Sequence, residues 1–188
     1  KYDPEKAKSL LKEAGQENLS FTLLVIDNWI KDLAAQIQQD LQAVGLTCTL
    51  DVQAAPYPTL AAKEDNSVLD YDVFLAPGDV SCFGTNADVH LAWFYGENTD
   101  WCQGRTCWAK AGDGKCTEFN QYLDEARRAT DAGARQEAYN KCFDIIAEEV
   151  PLYPLFHKKV LTGYWADKIE GFEPSPTTGL YFQDAKLK

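Results

Sequence analysis

The sequence predicts an α/β domain whose parallel-rich sheet is flanked by helices, and three observations carry that expectation. Apolar residues alternate in three short runs, they recur at helical spacing between the runs, and Gly or Asp-Pro punctuates the changes of period. Strand, helix, strand, helix, strand is the order that right-handed crossovers lay onto one parallel sheet.

The first helix opens at Asp3-Pro4-Glu5, with an Asp cap, Pro at the first helical position and an acid in the first turn. Ala7, Leu10, Leu11 and Ala14 then fall on one stripe, and Gly15 supplies a left-handed stop. Leu19, Phe21, Leu23 and Val25 alternate with Ser20, Thr22 and Leu24, which predicts a strand. Ile30, Leu33, Ala34, Ile37, Leu41 and Val44 form the next helical stripe, closed by Gly45. Leu46, Cys48, Leu50 and Val52 alternate with polar residues as a second strand. A short helix is expected at Pro58–Lys63, and a third strand at Tyr71–Ala76.

Beyond that strand come Pro77-Gly78-Asp79 and a loop to Asp88, then a short helix at about Val89–Phe94. A Gly-rich stretch from Tyr95 to Cys116 precedes two further helices. One carries Phe119, Tyr122, Leu123 and Ala126; the other carries Ala138, Tyr139, Cys142, Ile145 and Ile146. Pro151 to Phe156 reads as extended, because Pro disfavours helix in the residue before it. One more strand is expected at Val160–Trp165.

The chain has 188 residues, 45% hydrophobic and 25% charged, which is a globular balance with room for a core. Its net charge of −11 argues against nucleic acid and against an anionic membrane surface, since both are bound through clustered Lys and Arg. No apolar run approaches the ~18–20 residues of a membrane span. The chain lacks Met altogether and starts two residues before a helix, so it reads as a piece of a longer protein.

Six cysteines are many for a cytosolic domain of this size. Cys102, Cys107 and Cys116 cluster in polar, Gly-rich sequence, which predicts at least one disulfide among them and Cys82 in an oxidising compartment. Cys48 and Cys142 fall on apolar faces and should be reduced and buried. Zinc is the weaker reading, because the spacing is not that of a structural zinc site and no nearby His completes four ligands. No metal or cofactor is expected. There is no G-x-G-x-x-G after the first strand, where Asp27-Asn28-Trp29 stands, and neither a phosphate-binding loop nor a nucleophile elbow elsewhere. His90 and His157, far apart in sequence, suit surface or packing positions better than catalysis.

Open α/β sheets bind ligands beyond the carboxyl ends of their strands, and Asp79 directly follows such an end. Ser81, Phe83 and Asn86 share its loop and suit the enclosure of an organic solute. The plain alternative is that Asp79 caps a turn after Gly78.

Four stretches carry a family resemblance. Tyr2-Asp3-Pro4-Glu5-Lys6-Ala7-Lys8-Ser9-Leu10-Leu11-Lys12-Glu13-Ala14-Gly15 resembles the opening of part of the second lobe in peptide-type extracellular solute-binding proteins of ABC transporters. Ile37 to Leu46 and Asp70 to Leu75 are similar to that family's next helix and to the strand leading into its ligand loop. Asp131, Arg135, Tyr139 and Ile145 to Pro151 resemble its closing helix and Pro turn.

The resemblance implies one lobe of a two-lobed, periplasmic-binding-protein-like fold. Residues 1–158 would form the C-terminal lobe, and 159–188 would pack on, or cross back toward, an N-terminal lobe. It implies a monomeric, non-enzymatic, extracytoplasmic protein, periplasmic or lipid-anchored. Such a protein hands a small solute, a short peptide first of all, to membrane permease subunits. Asp79 matches the acid that meets a peptide amino terminus. Ala87-Asp88 stands where the family has Asp-Pro, which makes Asp88 a rival ligand. A flavodoxin-like or Rossmann-like enzyme domain and a surface interaction module are the competing readings.

Overall fold

A computed structural model describes residues 2–27, 30–54, 71–78, 84, 86–157, 159, 161–173 and 181–188. The helix expected at Pro58–Lys63 lies outside them. Helix α1, Pro4–Glu13, begins where the Asp3 carboxylate accepts the Lys6 N–H at 3.1 Å. Its stripe is only partly covered: Ala7 and Leu11 are half-buried, while Leu10 and Ala14 are exposed.

Strand β1, Ser20–Ile26, is the middle of a parallel sheet ordered β2-β1-β3, with β2 at Thr47–Gln53 and β3 at Val73–Leu75. Leu23 lies opposite Leu50 on one side and Val73 on the other. Leu23, Leu24, Val25 and Ile26 are all buried, so both faces of the strand are covered, as a central parallel strand requires. Helix α2, Ile30–Ala43, crosses one face and places Ile30, Ala34, Ile37 and Leu41 on Leu23, Val25 and Cys48. Gln38 ties the crossover down by donating to the Cys48 carbonyl at 2.7 Å.

Strand β3 is shorter than the expected Tyr71–Ala76. It is latched at its start by Asp72, whose N–H reaches the Thr22 carbonyl at 3.1 Å and whose carboxylate accepts the Thr22 N–H at 2.8 Å.

A second core is built from helices. Helix α3, Ala87–Tyr95, starts two residues earlier than expected because Asn86 caps it. One π-turn, Trp101–Arg105, and a 3-10 turn, Trp108–Lys110, then lead to α4, Lys115–Arg128, and α5, Ala132–Glu149. Leu91, Cys102, Trp108, Cys116, Phe119, Leu123, Cys142 and Ile145 close this cluster. Phe119 sits among the rings of Trp108 and Tyr95, with centroids 5.5 and 5.8 Å away. Helix α5 stops at Val150, which takes φ 46° ahead of Pro151, a position where the proline ring bars continued right-handed helix.

The strand expected at Val160–Trp165 does not form among the described residues 161–165; Val160 itself lies outside them. Alternating apolar residues make a strand only where a sheet face buries them, and here Leu161 is 89% and Trp165 70% exposed. The sheet of this segment is instead the antiparallel pair β4, Ile169–Glu170, and β5, Lys186–Leu187. It lies next to a ring cluster in which Phe172 stacks on Phe182 and meets Tyr164 edge-on. Gly171 is needed there, because a Cβ would collide with the Asp184 carbonyl.

Candidate functional site

All three strands run the same way, so their carboxyl ends share one edge: Ile26 and Asp27, Gln53, and Leu75 through Gly78. The ladder holds to this edge, since the Asp27 N–H still bonds the Gln53 carbonyl at 2.8 Å. Asp27 also pairs with Lys31 in the first turn of α2, at 3.3 Å between two half-exposed side chains. Past β3 the chain runs against α3, where a Cβ on Gly78 would touch the Phe94 ring at an ordinary contact distance of 3.5 Å.

Of the residues expected to face ligand, Asp79, Ser81 and Phe83 lie outside the described residues, as does Cys82. Asn86 and Asp88 are described, and both bond within the fold. The Asn86 side chain accepts the Asp88 N–H at 3.0 Å and caps α3. Asp88, half-buried in the first turn of α3, accepts the Arg127 Nε–H at 2.6 Å. Asp124 holds the same guanidinium at 3.4 Å. The Asp88 hydrogen bond, despite some loss of hydration, pushes the Arg127 pKa above its ordinary value. His90 reaches back through Nε2 to the Gly84 carbonyl at 3.0 Å. These contacts fasten the far end of the loop to α4 and leave its near end on β3.

Asp88 is therefore expected to be a scaffold residue. Replacing it by Asn should lower stability by about 0.5–1 kcal/mol, as befits a part-exposed ion pair. If the complete protein binds a solute, as the family resemblance implies, its affinity should stay within about twofold, which is under ~0.5 kcal/mol. Paired unfolding and calorimetric titrations measure both, and a large affinity loss would return Asp88 to the ligand shell.

A support was not visible in the sequence. The Arg105 guanidinium lies over the Trp101 ring at 4.2 Å, Trp101 meets Phe94 at 5.0 Å, and the Tyr71 hydroxyl donates to the Arg105 carbonyl at 3.1 Å. This aromatic and cationic stack braces the start of β3 against the π-turn. Burial, more than the neighbouring Cys107 charge, pushes the Tyr71 hydroxyl up to about 12, and burial pulls the Arg105 pKa down. The W-x3-R spacing was the available signal, but only a helical turn makes it meaningful.

Two open depressions in the C-terminal segment, of about 180 and 230 Å³, are lined by Gly163 to Trp165 and by Ile169, Phe182 and Ala185 to Leu187. Both are smaller than an ordinary ligand pocket. Among the described residues no His, Cys, Asp or Glu group is placed to hold a metal ion, and no helix is long and apolar enough to cross a membrane.

No family model matches the chain. Among curated proteins it is 28% identical over 206 residues to di/tripeptide-binding protein 4 of Pseudomonas aeruginosa, a match spanning 100% of this chain and 34% of that protein. It is 27% identical over 192 residues to the glutathione-binding protein GsiB of Escherichia coli, spanning 100% of this chain and 36% of that one. Among solved structures, the oligopeptide-binding protein AppA of Bacillus subtilis, in complex with a nonapeptide, superposes with a TM-score of 0.68. Identity there is 19%, with 100% of this chain and 38% of AppA covered. The chain thus spans about a third of the length of the curated relatives it matches. Its α/β fold is that of one lobe of a periplasmic-binding-protein-like molecule, and its resemblance to peptide-type solute-binding proteins runs from end to end.

Proposed function

We propose that this chain is the solute-binding lobe of an ABC importer's substrate-binding component, which captures a short peptide in a cleft and delivers it to the permease. One observation carries the reading: the likeness to proteins named for di- and tripeptide and glutathione binding extends over every part of this chain. The fold supplies the physical support. Three parallel strands end on one edge and β3 precedes α3 in the chain; on this reading that edge is half of a crevice that a second lobe completes. We infer no catalysis, since the relatives are binding proteins and the sequence carries no phosphate loop or nucleophile elbow.

On this reading the protein acts outside the cytoplasm as a monomer, in the periplasm or lipid-anchored, with at least one disulfide among Cys82, Cys102, Cys107 and Cys116. Residues 1–158 form the C-terminal lobe, and 159–188 pack on, or cross back toward, the N-terminal one. The support for that division is the separate ring cluster around Phe172, together with the exposed Trp165 and Tyr181 beside it.

The test is a thermal-shift screen of the complete protein against short peptides, glutathione, sugars and metal complexes. A true ligand at ~100 times its Kd adds about 2.7 kcal/mol of stability. Di- and tripeptides are expected to raise the melting temperature. A response confined to sugars or metal complexes would overturn the peptide assignment.

A further inference from the structure

The helical core holds two thiols in an arrangement that packing alone does not explain. Cys102 and Cys116 are free thiols whose Sγ atoms stand 3.3 Å apart, joined by an S–H···S hydrogen bond. Neither residue is free to drift. Cys102 belongs to the π-turn, and its N–H bonds Thr99 Oγ1 at 3.2 Å. Cys116 lies in the first turn of α4, where its carbonyl accepts from Asn120 Nδ2 at 2.8 Å. Around them Trp108, Phe119, Leu123 and Cys142 close the cluster.

The other described cysteines are differently placed. Cys142 donates to the Phe119 carbonyl at 3.7 Å, Cys107 donates to the Gly104 carbonyl at 3.5 Å, and Cys48 lies in the sheet core.

We propose that Cys102 and Cys116 form a structural disulfide that staples the π-turn to the head of α4. The pairing rests on the sulfur geometry; its occurrence in the cell rests in addition on the extracytoplasmic reading above. The oxidant is a disulfide donor, either a thiol oxidoreductase or a low-molecular-weight disulfide. One cysteine attacks the donor, forming a mixed disulfide and releasing one donor thiol. The second cysteine displaces the other donor thiol and forms the protein S–S bond. Two S–H bonds break, and the two protons and two electrons reduce the donor's disulfide to two thiols.

Timing follows from burial. Cys102 is 0% exposed and Cys116 5%, so a donor reaches them only before the cluster closes. Burial, with the Cys102 hydrogen bond adding to it, also pushes the Cys116 thiol up to about 12, which starves the folded protein of thiolate. Bridging therefore belongs to folding, and the finished bond is shielded from reductants.

The experiment maps disulfides in the complete protein after export to an oxidising compartment. In parallel, reduced and denatured protein is refolded in oxidised and reduced glutathione. Both samples are alkylated while unfolded without reductant. Cleavage after Arg105, Lys110 and Lys115 puts Cys102, Cys107 and Cys116 on separate peptides, and cleavage after aromatic residues separates Cys82 from Cys102.

A cross-linked pair containing Cys102 and Cys116, with Cys48 and Cys142 alkylated, is the expected result. Refolded protein with both thiols alkylated, or with either joined to Cys107 or Cys82, overturns the pairing. Exported protein with both thiols free beside refolded protein that carries the bond upholds the pairing and counts against the extracytoplasmic reading.

Discussion

Replacing Phe119 by Ala should destabilise the fold by about 3–5 kcal/mol, the cost of deleting a large ring from a core that closes only partly behind it. The ring is 0% exposed and sits where α3, the 3-10 turn and α4 meet, with Tyr95 and Trp108 against it. The tilted contact with Tyr95 and the edge-on contact with Trp108 are lost along with its buried area. Phe119→Leu keeps most of the volume and should cost less than about 1.5 kcal/mol. Phe143 on α5 provides the contrast, since it is exposed and Phe143→Ala should stay within about 0.5 kcal/mol. Equilibrium unfolding in denaturant reads all three, and a Phe119→Ala midpoint close to that of Phe143→Ala would dissolve the account of this core.

On the proposed peptide reading, Asp79→Ala is expected to lower solute affinity of the complete protein by about 3–5 kcal/mol, because a peptide amino terminus would then lose its paired carboxylate. That is more than about a hundredfold in Kd. The position rests on chain order. The sheet edge ends at Leu75, Gly78 runs past Phe94, and the loop returns to the fold at Asn86. In the chain, Asp79 directly follows Gly78, whereas Asp88 is held against α4 by Arg127. If Asp79 only caps a turn, the substitution should cost stability of about 1 kcal/mol and leave Kd unchanged. Calorimetry on Asp79→Ala and Asp88→Ala side by side separates the two, and a loss confined to Asp88→Ala would move the site to the head of α3.

Much of the α/β half was legible because its signals are local. Asp3 announces a helix start through its own side chain, and Gly15 and Gly45 take the left-handed stops their positions suggest. Period alone placed β1, α2 and β2 to within a residue or two. Other features were illegible for equally physical reasons. Apolar spacing says that a helix has a buried face, but not which neighbour it meets, so the division into a sheet core and a helical core was not anticipated. The π-turn has no periodic signature, and without it the 14-residue separation of Cys102 and Cys116 says little about distance. Asn86 was grouped with the ligand loop as one of its polar members, and Asp88 through the family resemblance and the lengthened loop. Only the positions of the α3 head and of Arg127 reveal that Asn86 Oδ1 and Asp88 Oδ1 accept hydrogen bonds within the fold.

The two cores also differ in how far along the chain their partners lie. In the helical half, α4 and α5 are consecutive and separated by only a few residues, so their contacts close short loops. In the sheet half, β1 must find β3 across some 50 residues, the separation of the Thr22 and Asp72 bond. Loop-closure entropy rises with that separation, and non-local parallel pairing is intrinsically slow. The hairpin of α4 and α5 is thus placed to nucleate early, and the parallel pairing of β1 with β3 follows it. A polypeptide caught midway would own a finished helical pair and an unfinished sheet.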